Sequence, residues 1–238
     1  MAPAQAVSDM QREPDAPRRL ALFDLDHTLL DGDSDVLWCE FLMDQGILDR
    51  AEFEPRNRAM AERYARGEAS AAEFCGFYVG TLAGVRRDSW LSLQQRFFER
   101  DIAPRLSASA VDLVERHRAQ GDRLVLTTAT NRFLTEMTAR ALRIDALIAT
   151  EVEIVEGVFT GRILGTPNMR EGKVIRLREW LSGQGLSDAL LAGAVFYSDS
   201  ANDLPLLRAV GTPVAVNSDE TLEAEARING WKVLRLVR

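Results

Sequence analysis

Three short polar segments stand out in the 238-residue chain because each follows directly on an apolar run: Asp24-Leu25-Asp26-His27-Thr28, Thr127-Thr128-Ala129-Thr130-Asn131 and Ser198-Asp199-Ser200-Ala201-Asn202-Asp203. An apolar run that stops abruptly at polar residues has the pattern of a buried strand with an exposed C-terminal end. In open parallel sheets, ligands bind beyond those ends. If the three strands are neighbours, Asp24, Asp26 and Asp199 come close together, which is unfavourable unless a cation neutralises them. An all-oxygen, carboxylate-rich site suits a hard ion, Mg²⁺ above all, and leaves open positions for a phosphate oxygen and water. Taken alone, an Asp-x-Asp at a strand end is also an ordinary turn and helix cap, and Asp199 and Asp203 could cap a following helix.

The elements that must position these residues follow from periodicity. Residues 19–23 read as a short buried strand. From residue 36 to about 100, apolar residues recur at intervals of three and four in four stretches, with Gly46, Gly67 and Gly84 near their ends, which predicts helices. No β-rich run interrupts them. After Pro104 the pattern alternates: helix 108–119, a strand from 123, helix 132–142, strand 144–149, then a β-hairpin turning at Glu156-Gly157. Helix 171–181, strand 193–197, helix 203–209, strand 213–216, helix 220–228 and strand 231–236 complete the chain. Strand–helix alternation implies right-handed crossovers. The expected class is α/β, a Rossmann-like, mostly parallel sheet core with an inserted α-helical cap. The domain reading is a disordered tail at 1–18, a catalytic core of 19–35 and 101–238, and a helical cap at 36–100.

Composition excludes several classes. Twenty-nine basic residues against 36 acidic ones leave a net charge of -7, without the footprint of a general nucleic-acid binder. No apolar stretch approaches the roughly 20 residues that span a bilayer, and residues 1–18 lack the apolar centre of a secretory signal. Two cysteines, Cys39 and Cys75, are too few for a disulfide framework and read as core residues of the cap. A cytoplasmic protein acting on a small metabolite is expected. His117 reads as lying on a helix surface, and His27 as local structure.

Asp24-Leu25-Asp26-His27-Thr28 resembles the DxDxT nucleophile motif of the haloacid dehalogenase superfamily, and SDSANDLPLL resembles its acidic Mg²⁺ motif. LVLTTAT looks like the second motif, and Glu171-Gly172-Lys173 like the context of its essential lysine. The four occur in the family's order, and a helical insert between the first two resembles the C1-capped, phosphoserine phosphatase-like branch. The resemblance implies a phosphatase in which Asp24 accepts the phosphoryl group as an aspartyl-phosphate. Asp26 protonates the leaving alcohol and then deprotonates water. Thr128 donates a hydrogen bond to the phosphoryl group, and Lys173 supplies a fixed positive charge. Asp199 holds Mg²⁺ with the Asp24 carboxylate and the Asp26 carbonyl, Asp203 orients the metal's waters, and Asn202 lies near the phosphate. Without the resemblance, Lys173 reads as a solvated helix lysine.

The cap should set the substrate. Asp33 lies where phosphoserine phosphatase-like proteins put an acidic residue to meet the substrate's amine, and Asp31 and Asp35 flank it. As an N-cap for a helix starting at Val36 it would do equally well. Arg56, Arg58, Arg63 and Arg66 give the cap basic character that could meet a carboxylate. Thr128-Ala129-Thr130 replaces the Ser-Gly-Gly turn usual in phosphoserine phosphatases, and Ser198 replaces their Gly. The pattern looks more like the histidinol-phosphatase-like sister group. Histidinol phosphate is therefore the leading substrate and phosphoserine the second. Phosphoryl transfer to another acceptor remains open. A phosphonatase usually needs a cap lysine, and residues 36–100 contain none. A non-enzymatic binding protein would be expected to lack Asp24 or Asp26, and both are present.

Overall fold

Leu20–Phe23 is apolar at every position, and the structure buries all four residues in the central strand β1. The computed structural model describes residues 19–66 and 68–237. The expected tail at 1–18 and the helix-ending Gly67 lie outside the described residues. Beyond β1 the sheet comprises β2 (Arg123–Asn131), β3 (Ala146–Val155), β4 (Val158–Leu164), β5 (Val195–Ser198), β6 (Thr212–Val216) and β7 (Lys232–Leu234). Their order is β4-β3-β2-β1-β5-β6-β7, with only the β3–β4 pair antiparallel.

Helices α1 (Ser34–Asp44), α2 (Arg50–Ala65), α3 (Ala71–Val79), α4 (Arg87–Phe97) and α5 (Ala108–Ala119) separate β1 from β2. Then come α6 (Arg132–Ala141) between β2 and β3, α7 (Glu171–Gly183) before β5, α8 (Leu204–Leu207) after it, and α9 (Glu220–Asn229) between β6 and β7. The protein is α/β with a mostly parallel sheet. The chain leaves β1 toward β2 on one side and reaches β5 on the other, so the C-terminal ends of β2, β1 and β5 adjoin, the crevice in which such sheets bind ligands.

Alternate residues of the central strands face opposite layers, as a pleated strand requires. Leu20, Leu22 and Val125 pack with Leu177, Leu181 and Leu206 of α7 and α8. Ala21, Phe23, Leu124 and Leu126 pack with helices of the other face. That second layer continues into the inserted helices: Trp38 of α1 lies 5.1 Å from Phe97 of α4 and 6.4 Å from Phe133 of α6, centroid to centroid. A separate cluster of Cys39, Met43, Phe53 and Tyr78 joins α1, α2 and α3. The inserted helices thus share one hydrophobic layer with the sheet and hold a second among themselves.

Two expectations need correction. His117 is buried rather than on a helix surface, because it lies one turn from Leu113 on the face of α5 that packs over Phe23. Its ring nitrogens pair with Asp122 Oδ2 at 2.7 Å and the Tyr197 hydroxyl at 2.8 Å. Burial pushes the imidazole below its usual range. The strand at 144–149 and the first arm of the hairpin are one element, β3, which pairs with β2 through Thr150 and with β4 from Glu151 onward. The turn does fall at Glu156 and Gly157, with φ of 51° and 80°, the left-handed pair that a two-residue hairpin turn needs.

Candidate active site

Asp24 follows the last residue of β1, and its N–H donates to Tyr197 O at 2.9 Å, so the ladder with β5 runs up to the site. The chain then turns through His27, with φ of 55°. Leu25 is fully buried while Asp24 and Asp26 line the cavity above the strand ends. The cavity holds about 230 Å³ and is also lined by Lys173, Asp199, Asn202 and Asp203. The three polar segments marked in the sequence therefore meet at one place.

Asp24 is gripped from both sides. Lys173 Nζ donates to its Oδ1 at 2.7 Å and the Thr28 hydroxyl to its Oδ2 at 3.0 Å. Lys173 also donates to Asp203 Oδ2 at 2.7 Å, an oxygen that accepts from the Ser198 hydroxyl as well. Burial alone would lower the Lys173 pKa, but the two carboxylates outweigh it and raise it. Gly172 lets α7 begin where it does: a Cβ there would stand 2.0 Å from Pro167 O, a contact no side chain tolerates. The Glu-Gly-Lys context thus has a steric cause, holding the first turn of α7 against the loop so that Lys173 reaches Asp24.

Asp26 belongs to a separate network. It accepts from the Ser34 N–H at 2.7 Å, the Thr130 hydroxyl at 2.9 Å and, weakly, the Thr128 hydroxyl at 3.4 Å. Burial pushes Asp24 up to about 7, even against the pull of Lys173. It also pushes Asp26 to about 6, helped by the charge of Asp33, and Asp199 to about 8, helped by Asp24 and Asp203.

The donor set suits a hard cation. Thr28 Oγ1 is 3.0 Å from Asp24 Oδ2 and 3.1 Å from Asp199 Oδ1, yet a hydroxyl has one hydrogen to donate. It can therefore serve only one of these two carboxylate oxygens at a time. Among the described residues, no cluster of three or more His, Cys, Asp or Glu side chains forms a metal cage by itself. Mg²⁺ does not need one, since it binds through one or two carboxylates and keeps several waters or phosphate oxygens.

The other expected residues are placed as follows. Thr128 is fully buried beneath Asp26, and Ala129 and Thr130 are what β2 presents to the cavity. Asn202 Oδ1 accepts from the Tyr64 hydroxyl and Arg170 Nε, both at 3.2 Å. Asp33 lines the cavity and also caps α1, accepting from the Val36 N–H at 2.9 Å. Arg56, Arg58, Arg63 and Arg66 do not line it. Arg170, also absent from the lining, sets its guanidinium 4.6 Å over the ring of Tyr64, which does line the cavity.

Residues 21–208 match the model of the haloacid dehalogenase-like hydrolase family. The chain belongs to this family. A histidinol-phosphatase of Neisseria meningitidis serogroup C is 38% identical over 218 residues, 91% of this chain and 98% of that protein. A protein of unknown function from Bordetella pertussis Tohama I has a solved structure with 47% identity and a TM-score of 0.88, covering 92% of this chain and 99% of that one. A phosphoserine phosphatase solved as its phospho-aspartyl intermediate analogue shares the fold at 16% identity, TM-score 0.67, over 94% and 95% of the two chains. The haloacid dehalogenase hydrolase described here is thus of the phosphoserine phosphatase-like branch, and its enzyme class is that of a phosphatase.

Several residues of this hydrolase site were not singled out from sequence. Thr28 carried a signal, as the closing residue of Asp24-Leu25-Asp26-His27-Thr28. Thr130 lay in a marked segment, but nothing in the sequence distinguished it from Thr128. Asn168 carried none: fully buried, its side-chain Nδ2 lies 2.9–3.0 Å from Thr127 Oγ1, Thr128 O and Ile148 O and shares its two hydrogens among them, stapling β2 to β3 beneath the site.

Proposed function

We propose that this phosphatase is Mg²⁺-dependent and hydrolyses a small amine-bearing phosphomonoester, histidinol phosphate in first place, through an aspartyl-phosphate on Asp24. The observation that carries the reaction is the pair of independent grips. Lys173 and Thr28 hold the Asp24 carboxylate, while Ser34 and Thr130 hold Asp26 at the same cavity.

Asp24 attacks phosphorus as the bond to the alcohol oxygen breaks, and Asp26 gives that oxygen its proton. Asp26 then takes a proton from the water that attacks the aspartyl-phosphate, releasing inorganic phosphate and regenerating both carboxyl groups. Lys173 holds Asp24 in position and lends positive charge to the transferring group. Thr128 serves Asp26 through its long hydrogen bond and the turn it makes with the Thr130 N–H, at 3.2 Å. Asp24, Asp199 and the Asp26 carbonyl would hold Mg²⁺, with Asp203 orienting its waters; when bound, the ion withdraws charge from the phosphoryl oxygens.

The substrate reading rests on Asp33 at the cavity and on the 38% identical relative named a histidinol-phosphatase, matched over nearly its whole length. Helices of residues 36–100 would act as the cap that selects substrate over a core of 19–35 and 101–238, with Asn202 at its contact with the phosphate side. Nucleic acid and membrane are not partners in this reading; no helix among the described residues is long and apolar enough to cross a membrane. Two buried free cysteines, Cys39 and Cys75, suit a reducing cytoplasm.

The test is turnover of histidinol phosphate, phosphoserine and p-nitrophenyl phosphate by the purified chain with Mg²⁺. Histidinol phosphate should give the highest kcat/KM, and a preference for phosphoserine would reverse the order of substrates. EDTA should stop hydrolysis and Mg²⁺ restore it, while Ca²⁺, which takes more ligands at longer bonds, should inhibit. Full activity after exhaustive chelation ends the metal reading.

Asp33→Asn separates amine recognition from helix capping, because Asn caps helices as well as Asp does. Losing a charge-assisted hydrogen bond, worth about 1.5–3 kcal/mol, should cut efficiency on an amine-bearing phosphate relative to p-nitrophenyl phosphate by roughly 10- to 100-fold. An unchanged ratio assigns Asp33 to capping alone.

A further inference from the structure

Asp35 is the one residue of the acidic edge whose burial has no structural return. It stands in the first turn of α1, is 7% exposed, and lines the cavity. Its Oδ1 is buried with no hydrogen-bond partner. Its Oδ2 is 3.1 Å from the Thr130 hydroxyl, but that hydroxyl also lies 2.9 Å from Asp26 Oδ2 and has only one hydrogen. The Ser34 hydroxyl donates to Thr130, not to Asp35. A buried carboxylate this poorly satisfied costs more than an ordinary lost hydrogen bond, and native structures rarely keep one without a reason. Its placement supplies the reason: Asp35 lines a cavity that Asp33 lines too, and no arginine stands among the residues lining that cavity. Lys173, the lysine at this cavity, is committed to Asp24 and Asp203.

The cavity also has an apolar side. Tyr64 and Phe74 stand with ring centroids 4.4 Å apart, and Met169 adjoins them. Aromatic and thioether surface in one cavity with two such carboxylates suits a compact ligand that is both planar and basic.

We propose that Asp35 is a specificity residue that binds a second basic nitrogen of the substrate, so that the site selects phosphomonoesters carrying two such nitrogens over those carrying one. This rests on the phosphatase reading above and adds a determinant to it. Asp33 takes one nitrogen, Asp35 the other, and the aromatic side supports the part of the ligand between or around them.

The test compares kcat/KM of wild type and Asp35→Asn on histidinol phosphate, with two basic nitrogens, O-phosphoethanolamine, with one, and p-nitrophenyl phosphate, with none. The variant should lower the ratio of histidinol phosphate to phosphoethanolamine efficiency by roughly 10- to 100-fold, as loss of one charge-assisted hydrogen bond does. Equal losses on all three substrates would mean that Asp35 only positions Thr130 and Asp26, and would overturn the proposal. A second measurement needs no variant: histidinol should inhibit wild-type turnover of p-nitrophenyl phosphate at least about tenfold more tightly than ethanolamine does. Equal inhibition overturns it too. A wild-type enzyme that ignores histidinol phosphate overturns this proposal and the substrate reading together. An enzyme that turns over all three while the variant leaves their ratio unchanged overturns only the role of Asp35.

Discussion

Asp24→Asn should fold and should not turn over. Asn has the shape of Asp: its carbonyl oxygen can keep the place beside Lys173 while its amide donates to the Thr28 hydroxyl, which then donates to Asp199 Oδ1, 3.1 Å away. An amide is a very poor nucleophile toward phosphorus and a weaker ligand for a hard cation. Loss of a covalent nucleophile typically costs on the order of 10⁴-fold or more in kcat, and that loss should appear on every substrate, p-nitrophenyl phosphate included. The variant also changes the charge balance at Lys173, whose ammonium keeps Asp203 as a partner at 2.7 Å. Its melting temperature should therefore stay close to that of wild type. Substantial hydrolysis by the folded variant would remove Asp24 from the reaction.

Lys173→Met should damage both stability and activity. The Lys173 side chain is 3% exposed and those of Asp24 and Asp203 are 9% and 4% exposed. Removing the ammonium leaves two carboxylates buried against each other. Breaking a buried ion pair from one side costs about 3–5 kcal/mol, far more than the net worth of the pair itself. For a domain of this size that corresponds to a fall in Tm of roughly 6–20 °C. Activity should fall by at least about 10²-fold, the usual effect of losing one preorganised electrostatic group at the transition state. Thermal melting followed at neutral pH with kinetics below the new Tm separates the two effects. A variant as stable as wild type would mean that solvent reaches this triad, contrary to its burial.

Periodicity located most of the elements. The helix at 108–119 was legible from its apolar spacing and from Gly121 and Asp122 after it, and the structure has α5 over those residues. The hairpin turn at Glu156-Gly157 was legible because apolar residues alternate with period two on both sides of it, and both residues take the positive φ that such a turn needs. The first inserted helix was expected from Val36 and begins at Ser34, since Asp33 is its cap.

The chemistry of the site was legible in part. Asp24, Asp26 and Asp199 announce themselves because a carboxylate directly after a buried strand can point only toward the sheet's C-terminal edge. That inference uses local sequence and a general property of parallel sheets. How the carboxylates are held was legible only for Lys173, through the family resemblance. Thr28 and Asp199 are 171 residues apart and Thr130 and Asp35 95; no local pattern encodes such pairs.

By itself, then, the sequence determined which side chains could react and at which edge of the sheet they gather, because strand period and strand polarity are local properties of the chain. Only the tertiary structure decided that Thr130 rather than Thr128 faces the cavity, that His117 is buried on Asp122 and Tyr197, and that Asp35 keeps an unanswered carboxylate oxygen inside the site. Each of those outcomes depends on which distant element covers a given face, and burial, unlike secondary structure, is a property of the neighbours rather than of the residue.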